Sequence, residues 1–435
     1  MASGSGTTVN RMEKYAKKSV KKYLKMFGLA LLALCATAFP ARAQGPAAST
    51  ASPAQKLTLA QALDMAERQN LDLIAARAQR AVTAAGVRIA SERPNPTGNF
   101  TALRDDPHEG WWFDVPLELG SKRQRRIDLA HAENALTDDD ISALEKQLRQ
   151  NVRDAFFALA LARGVTAEKN DALMLAQRLH DIAQQRFQAG DVPQLEVFQA
   201  GLVASQAQAD YQVAQKEEKV ALNELNELLS EPPATDWDLV NPLADLPSEP
   251  TLDSLLSRAN GANAELQKIA QEERVEQTQL ALYKADRIPN LTLSLGMDYA
   301  SPHNFRYGPR SQASMEVPIF SRDQGEIAQS SASLMALEAQ ASATRRAVEG
   351  HVESAYLELD SREAQAQLYK ESLLPASERL ESMAEESYRA GKANILSVLD
   401  AQKNVQQVRE EYLQSLYAVQ QAFAQLEDTV GAPLD

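Results

Sequence analysis

The chain has 435 residues, 44% hydrophobic and 24% charged, with 71 Ala but only 18 Gly. A formal charge of −14 and a pI near 5.0 exclude nucleic-acid binding as its main task, and the apolar content is too high for a disordered acidic chain. Ala-rich, Gly-poor usage points to long helices with small-residue contacts.

Residues 1–43 read as a secretory signal peptide. Six lysines between Lys14 and Lys25 precede an apolar run from Phe27 to Phe39 and an Ala41-Arg42-Ala43 cleavage site. The run is too short for a spanning helix, and Leu34 before Cys35 argues against a lipoprotein signal. Cleavage leaves 37 basic and 58 acidic residues, a charge of −21, and no cysteine. Packing must then stabilise a chain exported to an oxidising compartment. Residues 44–56 are expected to be a flexible mature N-terminus.

Residues 57–230 form the first of two similar units. Leu57–Ser91 predicts a helix, N-capped by Thr58 and ending before Pro94. A strand pair follows at Asn99–Arg104 and Trp111–Leu119. Ser121–Gln188 runs without proline and would be a helix roughly 100 Å long. A tight turn then leads into a helix over Pro193–Leu229. After a Pro-rich linker at 231–250, residues 251–430 repeat this order. The second helix is Leu252–Arg287, its strands Asn290–Ala300 and Ser311–Phe320. The second long helix, Ser321–Arg389, is interrupted only by Gly350 and Pro375, and the last helix is Asn394–Asp428. Residues 431–435 are a C-terminal tail.

The duplication is written in the residues. At an offset of 201, Ala189, Gly190, Leu195, Val197 and Ala200 recur as Ala390, Gly391, Leu396, Val398 and Ala401, with Phe187 matched by Tyr388. In each unit the two short helices sum to the length of the long one, so they could stack end to end beside it. Heptad stripes support side-by-side packing. Examples are Val398, Val405, Tyr412, Val419 and Leu426; Ala200, Ala207, Ala214 and Ala221; and Val352, Leu359, Ala366, Leu373 and Leu380.

The strands alternate apolar and polar residues: Leu291, Leu293, Leu295, Met297 and Tyr299 oppose Thr292, Ser294, Gly296 and Asp298. Trp111, Phe113 and Val115 similarly oppose Asp114. Such strands fit a transmembrane barrel, and also a soluble sheet packed on helices; export and the aromatics favour the barrel. Four strands cannot close in lipid, where every backbone group must be paired. A spanning sheet therefore requires several chains to pool their strands.

With its duplicated architecture, its Ala-Gly tip turns followed by Leu-x-Val-x-x-Ala, and its Val-Pro strand ends, the chain resembles the TolC-like outer-membrane efflux proteins over residues 57–430. The run Pro116-Leu117-Glu118-Leu119-Gly120-Ser121-Lys122-Arg123 looks like the cobalt–zinc–cadmium resistance branch. The resemblance implies a mainly α fold with a small β part. It also implies a homotrimer with a shared 12-stranded barrel in outer-membrane lipid and helices forming a periplasmic α-barrel. The partners it implies are a periplasmic adaptor, contacting the tip turns Ala189, Gly190, Ala390 and Gly391, and an inner-membrane RND-type pump. Trp111, Phe113 and Tyr299 would face the membrane.

Carried over residue by residue, the channel gate falls on Glu196, Tyr388, Ser397 and Asp400. Asp400 matches a family aspartate that rings the closed entrance, whereas Ser397 stands where a second aspartate can occur. Ala393 replaces a gate-locking arginine. A carboxylate ring on a rotation axis attracts cations and repels itself. Asp400 and Glu196 also lie near helix N-termini, where acids are favoured regardless.

Other chemistry is sparse. The histidines show no ligand spacing, and the hairpin Asp105-Asp106-Pro107-His108-Glu109 is a weak metal candidate that an exposed polar turn explains equally. Asp138-Asp139-Asp140 reads as a solvated helix face. No G-x-S-x-G, Walker or H-E-x-x-H pattern occurs, so neither a cofactor nor an enzymatic role is expected. The expected function is a passive exit duct for divalent heavy-metal cations. A duct for drugs or other organic solutes, a periplasmic adaptor and a structural coiled coil are the alternatives.

Overall fold

A computed structural model describes residues 55–105, 107–233, 235–240, 243–244, 251–301 and 305–434. The signal peptide, residues 44–54, Asp106 and His303 lie outside the described residues. The elements are β1 (Gln55–Leu57), α1 (Leu59–Gln69), α2 (Leu71–Ser91), β2 (Thr97–Ala102), β3 (Glu109–Leu117), α3 (Lys122–Ala189) and α4 (Gln194–Leu228). They are followed by β4 (Trp237–Leu239), α5 (Leu252–Ala262), α6 (Ala264–Asp286), β5 (Leu291–Ser301), β6 (Phe305–Met315), α7 (Gln324–Leu368), a π-helical turn (Tyr369–Leu373), α8 (Leu374–Arg389) and α9 (Ile395–Val430).

Helix α3 is a continuous rod of 68 residues. In one half of the molecule it packs beside α2 and α6, and in the other beside α4 and α9. Helix α7 packs against α6 and α9. The helical layer therefore runs α2–α3–α6–α7 near the sheet and α4–α3–α9–α8 toward the tips. Its largest core cluster gathers Val152, Phe156, Leu159, Leu225, Val352, Leu359, Val419 and Phe423. Phe156 meets Phe157 edge to face at 5.4 Å. Among the described residues no helix is long and apolar enough to cross a membrane.

The short helices do stack end to end, through a joint the sequence reading missed. Each expected single helix, Leu57–Ser91 and Leu252–Arg287, is broken once by an asparagine. Asn70 ends α1 and caps α2, its Oδ1 accepting from the Leu73 amide at 3.0 Å. Its amide nitrogen donates to the Leu228 carbonyl at the end of α4, 3.2 Å away. Asn263 does the same between α5 and α6, accepting from Leu266 and donating to the Thr429 carbonyl at 2.8 Å. One residue satisfies orphan groups on three helix ends, two through its side chain and the third through its backbone N–H.

The second long helix is interrupted at Pro375 and passes through Gly350 unbroken. Pro375 has no N–H and its ring crowds the preceding turn. The chain widens there into the π turn, where the Leu374 amide bonds the Tyr369 carbonyl. That extra residue per turn breaks the expected heptad. Val352, Leu359 and Ala366 are buried, but Leu373 and Leu380 are exposed. Burial instead continues 11 residues apart, through Ser377 to Tyr388.

One antiparallel sheet runs β2–β3–β5–β6, so strands of both repeats share it and β2 and β6 are its edges. The strands occur as expected, with one displaced. The fourth covers Phe305–Met315 rather than Ser311–Phe320, because its pairing with β5 ends at Leu291↔Met315, beyond which Pro289 and Pro318 supply no amide. β3 tolerates Pro116 because β2 reaches only Asp114.

Candidate functional site: two helical tips and a two-faced sheet

The two tips have the same backbone geometry. Gly190 adopts φ 84° and Gly391 φ 69°, the left-handed region where a Cβ is strained. Gly190 bonds the Phe187 carbonyl and Asp191 the Arg186 carbonyl, at 3.0 and 2.9 Å. Gly391 and Lys392 repeat this to Tyr388 and Ser387 at 3.0 and 2.9 Å. Nothing lies within 4 Å of a Cβ at either glycine, so conformation alone requires them.

A small second core holds the tips together: Leu179, Ala183, Ala200, Tyr388, Ile395 and Val398. Tyr388 is 5% exposed, with the Arg186 guanidinium stacked on its ring at 4.9 Å. Sequence reasoning missed Arg186; its place one residue before Phe187, the counterpart of Tyr388, was the available signal. Among the described residues neither the Tyr388 hydroxyl nor Glu196 Oε2 has a hydrogen-bond partner, so these two candidate gate residues are not bonded to each other within one chain. The buried atoms His180 Nδ1 and Gln402 Nε2, near the same end, also lack partners. Asp400 and Ser397 lie one helical turn apart on the exposed face of α9. Ser397 is tied into the helix cap, its amide donating to Asn394 Oδ1 at 3.1 Å and its hydroxyl to the Asn394 carbonyl at 2.7 Å.

In the sheet, strand register sorts residues onto two faces. Trp111, Phe113, Leu293, Leu295, Met297, Tyr299 and Tyr307 share the apolar face. Trp111 meets Phe113 edge to face at 6.4 Å, and Tyr299 lies 5.3 Å from Tyr307. On the polar face Asn99 donates to Asp114 Oδ2 at 2.7 Å, and the Ser294 hydroxyl donates to Oδ1. Trp112 belongs to this second face.

The Pro116–Arg123 motif is a junction between sheet and helices. Gly120 has φ 73°, and a Cβ there would lie 2.6 Å from Ile288 Cδ1. Arg126 clasps Glu118, which holds the Glu118 carboxyl below its usual range. Buried Lys122 faces Asp286 at 3.8 Å, and Arg123 Nε donates to the Ser91 carbonyl at 2.6 Å. Burial raises the Asp286 carboxyl despite Lys122. The motif thus ties the end of β3 to α2, α3 and α6.

No group of three or more His, Cys, Asp or Glu side chains able to hold a metal converges among the described residues. In the candidate hairpin, Asp105, His108 and Glu109 are described and Asp106 is not; the Leu103 amide bonds the His108 carbonyl at 2.7 Å and closes the turn. The Asp138–Asp140 face is partly spoken for: Asp138 pairs with Arg80 of α2 at 2.8 Å and Asp140 with Lys268 of α6 at 3.1 Å.

The chain matches the outer membrane efflux protein family over residues 62–231 and 255–432. It is 26% identical over 398 residues to the cobalt-zinc-cadmium resistance protein CzcC of Cupriavidus metallidurans, covering 90% of this chain and 92% of that one. Its fold is similar to the outer membrane protein VceC of Vibrio cholerae, with a TM-score of 0.71, 16% identity and 87% and 97% of the two chains covered. A crystallised membrane protein of Pseudomonas aeruginosa gives a TM-score of 0.71 at 18% identity over 86% and 93%, and CusC 0.70 at 18% over 86% and 92%. With two family segments falling on the two copies of the repeat, the chain belongs to the outer membrane efflux protein family and resides in the outer membrane of a Gram-negative bacterium.

Proposed function

We propose that three copies close into a passive duct for divalent heavy-metal cations. Twelve pooled strands would form its barrel and the helices a periplasmic tunnel. The observation carrying this reading is the sheet: apolar on one face, polar on the other, and open at both edges. In lipid such edges must be paired, and a ring of copies pairs β6 of one with β2 of the next. The helical layer has matching open edges. Leu195, Phe198 and Leu202 are exposed on α4, as are Leu380 and Met383 on α8. Burying these across a heterologous contact supplies the association energy.

The substrate class rests on CzcC, a cobalt-zinc-cadmium resistance protein. The partners would be an adaptor seated on the Ala189-Gly190 and Ala390-Gly391 turns and an RND-type pump that provides the energy. Asp400 would ring the entrance, with Glu196, Tyr388 and Ser397 beside it at the gate. Deleting the gene should lower zinc, cobalt or cadmium tolerance, and the purified protein should form channels in planar bilayers. Unchanged tolerance to all three metals would refute the substrate. Replacing Asp400 by Ala should alter single-channel conductance and its block by multivalent cations; no change in either removes Asp400 from the gate.

A further inference from the structure

Halfway along the sheet, Trp112, Gly296 and Arg310 are register partners on three neighbouring strands. Side chains two strands apart are normally separated by the one between them. Here the middle position is glycine, and no Cβ fits at Gly296, because the Trp111 carbonyl and the Trp112 side chain occupy that space. The cleared strand lets the Arg310 guanidinium lie over the Trp112 ring, 4.7 Å from its centre. Gln312 accepts from Arg310 on the other side at 3.4 Å. Arg310 remains exposed, with no carboxylate paired to it among the described residues.

Among the described residues neither neighbouring acid forms an ion pair with it. Asp114, one layer toward the helices, is bonded through both oxygens to Asn99 and Ser294. Asp298, one layer away in the other direction, lies against Gly110, where a Cβ would come within 2.9 Å of its Oδ1. The cation is therefore fixed to the wall by an aromatic face and an amide, and its outer N–H groups stay available.

We propose that Arg310, braced on Trp112 across Gly296, is an anion-binding collar halfway along the barrel and a determinant of its charge selectivity. The ligand class is small inorganic anions. A duct with an acidic entrance and a ring of guanidinium groups at mid-barrel passes divalent cations together with their counter-anions, since the collar holds anions where the acidic entrance does not. This rests on the reading that the polar face lines a duct.

The test is collisional quenching of Trp112 in the purified oligomer, using a W111F variant; buried Trp237 is inaccessible to quencher and supplies a constant background. Iodide reaches Trp112 through the open outer end whatever the state of the tips. A unit charge about 5 Å away in water concentrates a monovalent anion roughly threefold at low salt. Iodide quenching of Trp112 should therefore fall roughly threefold in R310Q and persist in R310K, while quenching by caesium rises. Equal iodide quenching in the parent and R310Q would overturn the collar. The same proteins in vesicles of brominated lipid test the underlying reading separately. Trp111 in the wild type should be quenched, and Trp112 in W111F should not. Strong quenching of Trp112 by brominated lipid would overturn the lumenal assignment and the collar with it.

Discussion

The two repeats share a backbone and differ in how firmly each holds its tip. In the first, α3 is one unbroken rod whose Phe156 is fully buried at the centre of the core. In the second, the equivalent rod is cut by the π turn at Pro375, and the counterpart of Phe156 is the half-buried Tyr356. The first repeat is thus built as a strut. The second carries a change of register just above the tip that bears Tyr388 and Asp400. A duplicated sequence can keep one architecture and place its weak point in only one copy.

The sharpest test of that contrast is the core pair. Replacing Phe156 by Ala should cost about 3–5 kcal/mol, because the site is enclosed and cannot collapse. Replacing Tyr356 by Ala should cost clearly less. Thermal unfolding of the detergent-solubilised protein, followed by helical circular dichroism, compares them, and equal losses would remove the asymmetry. Next comes proline placement. Leu175 aligns with Pro375, and L175P should cost about 3 kcal/mol or more, because α3 has no widened turn to receive the ring. P375A should instead slow hydrogen exchange around residues 369–374 as the π turn reverts toward α.

A smaller effect should be symmetric. G190A and G391A each place a Cβ in the left-handed region and should each cost about 1 kcal/mol, with no clash to separate them. A large difference between the two would show that one tip is braced by contacts beyond its turn. The smallest effect distinguishes the two sheet-to-helix junctions. Glu118 is paired with Arg126, whereas its counterpart in the second repeat is Phe320, 93% exposed. The depressed Glu118 carboxyl contributes stability that is present above the unfolded pKa of about 4.3 and lost as pH falls through the lower folded value. E118Q should flatten the acid limb of a stability–pH curve by under about 1 kcal/mol.

Much of this was legible because it obeys a period. The duplication, the rod of α3, the alternating strands and the Ala-Gly turns follow from repeats of 201, 3.6 and 2 residues. What the sequence hid was local chemistry that overrides a period. A lone asparagine inside a helical stretch costs little in propensity, so the breaks at Asn70 and Asn263 became visible only once their side chains met the ends of α4 and α9. The heptad through Leu373 and Leu380 failed because one π turn shifts every later position. The fourth strand moved because its length depends on its partner, β5. At the tips, Tyr388 and Glu196 could be named from the family resemblance, whereas Arg186 could not, since its place comes from stacking across repeats. The motif at Pro116–Arg123 was legible as a branch signature, and the structure adds its role as a clasp between sheet and helices.

The central claim is that the sheet is one part of a barrel closed by several copies in the outer membrane. The most direct measurement is the mass of the particle extracted from outer membranes in mild detergent, with cysteines placed on the edge strands β2 and β6 in a mature chain expected to have none of its own. The account predicts a particle of three chains whose disulfides join β2 of one copy to β6 of the next and close into a covalent ring. A monomer recovered from the soluble periplasmic fraction, or disulfides formed only within one chain, would contradict it.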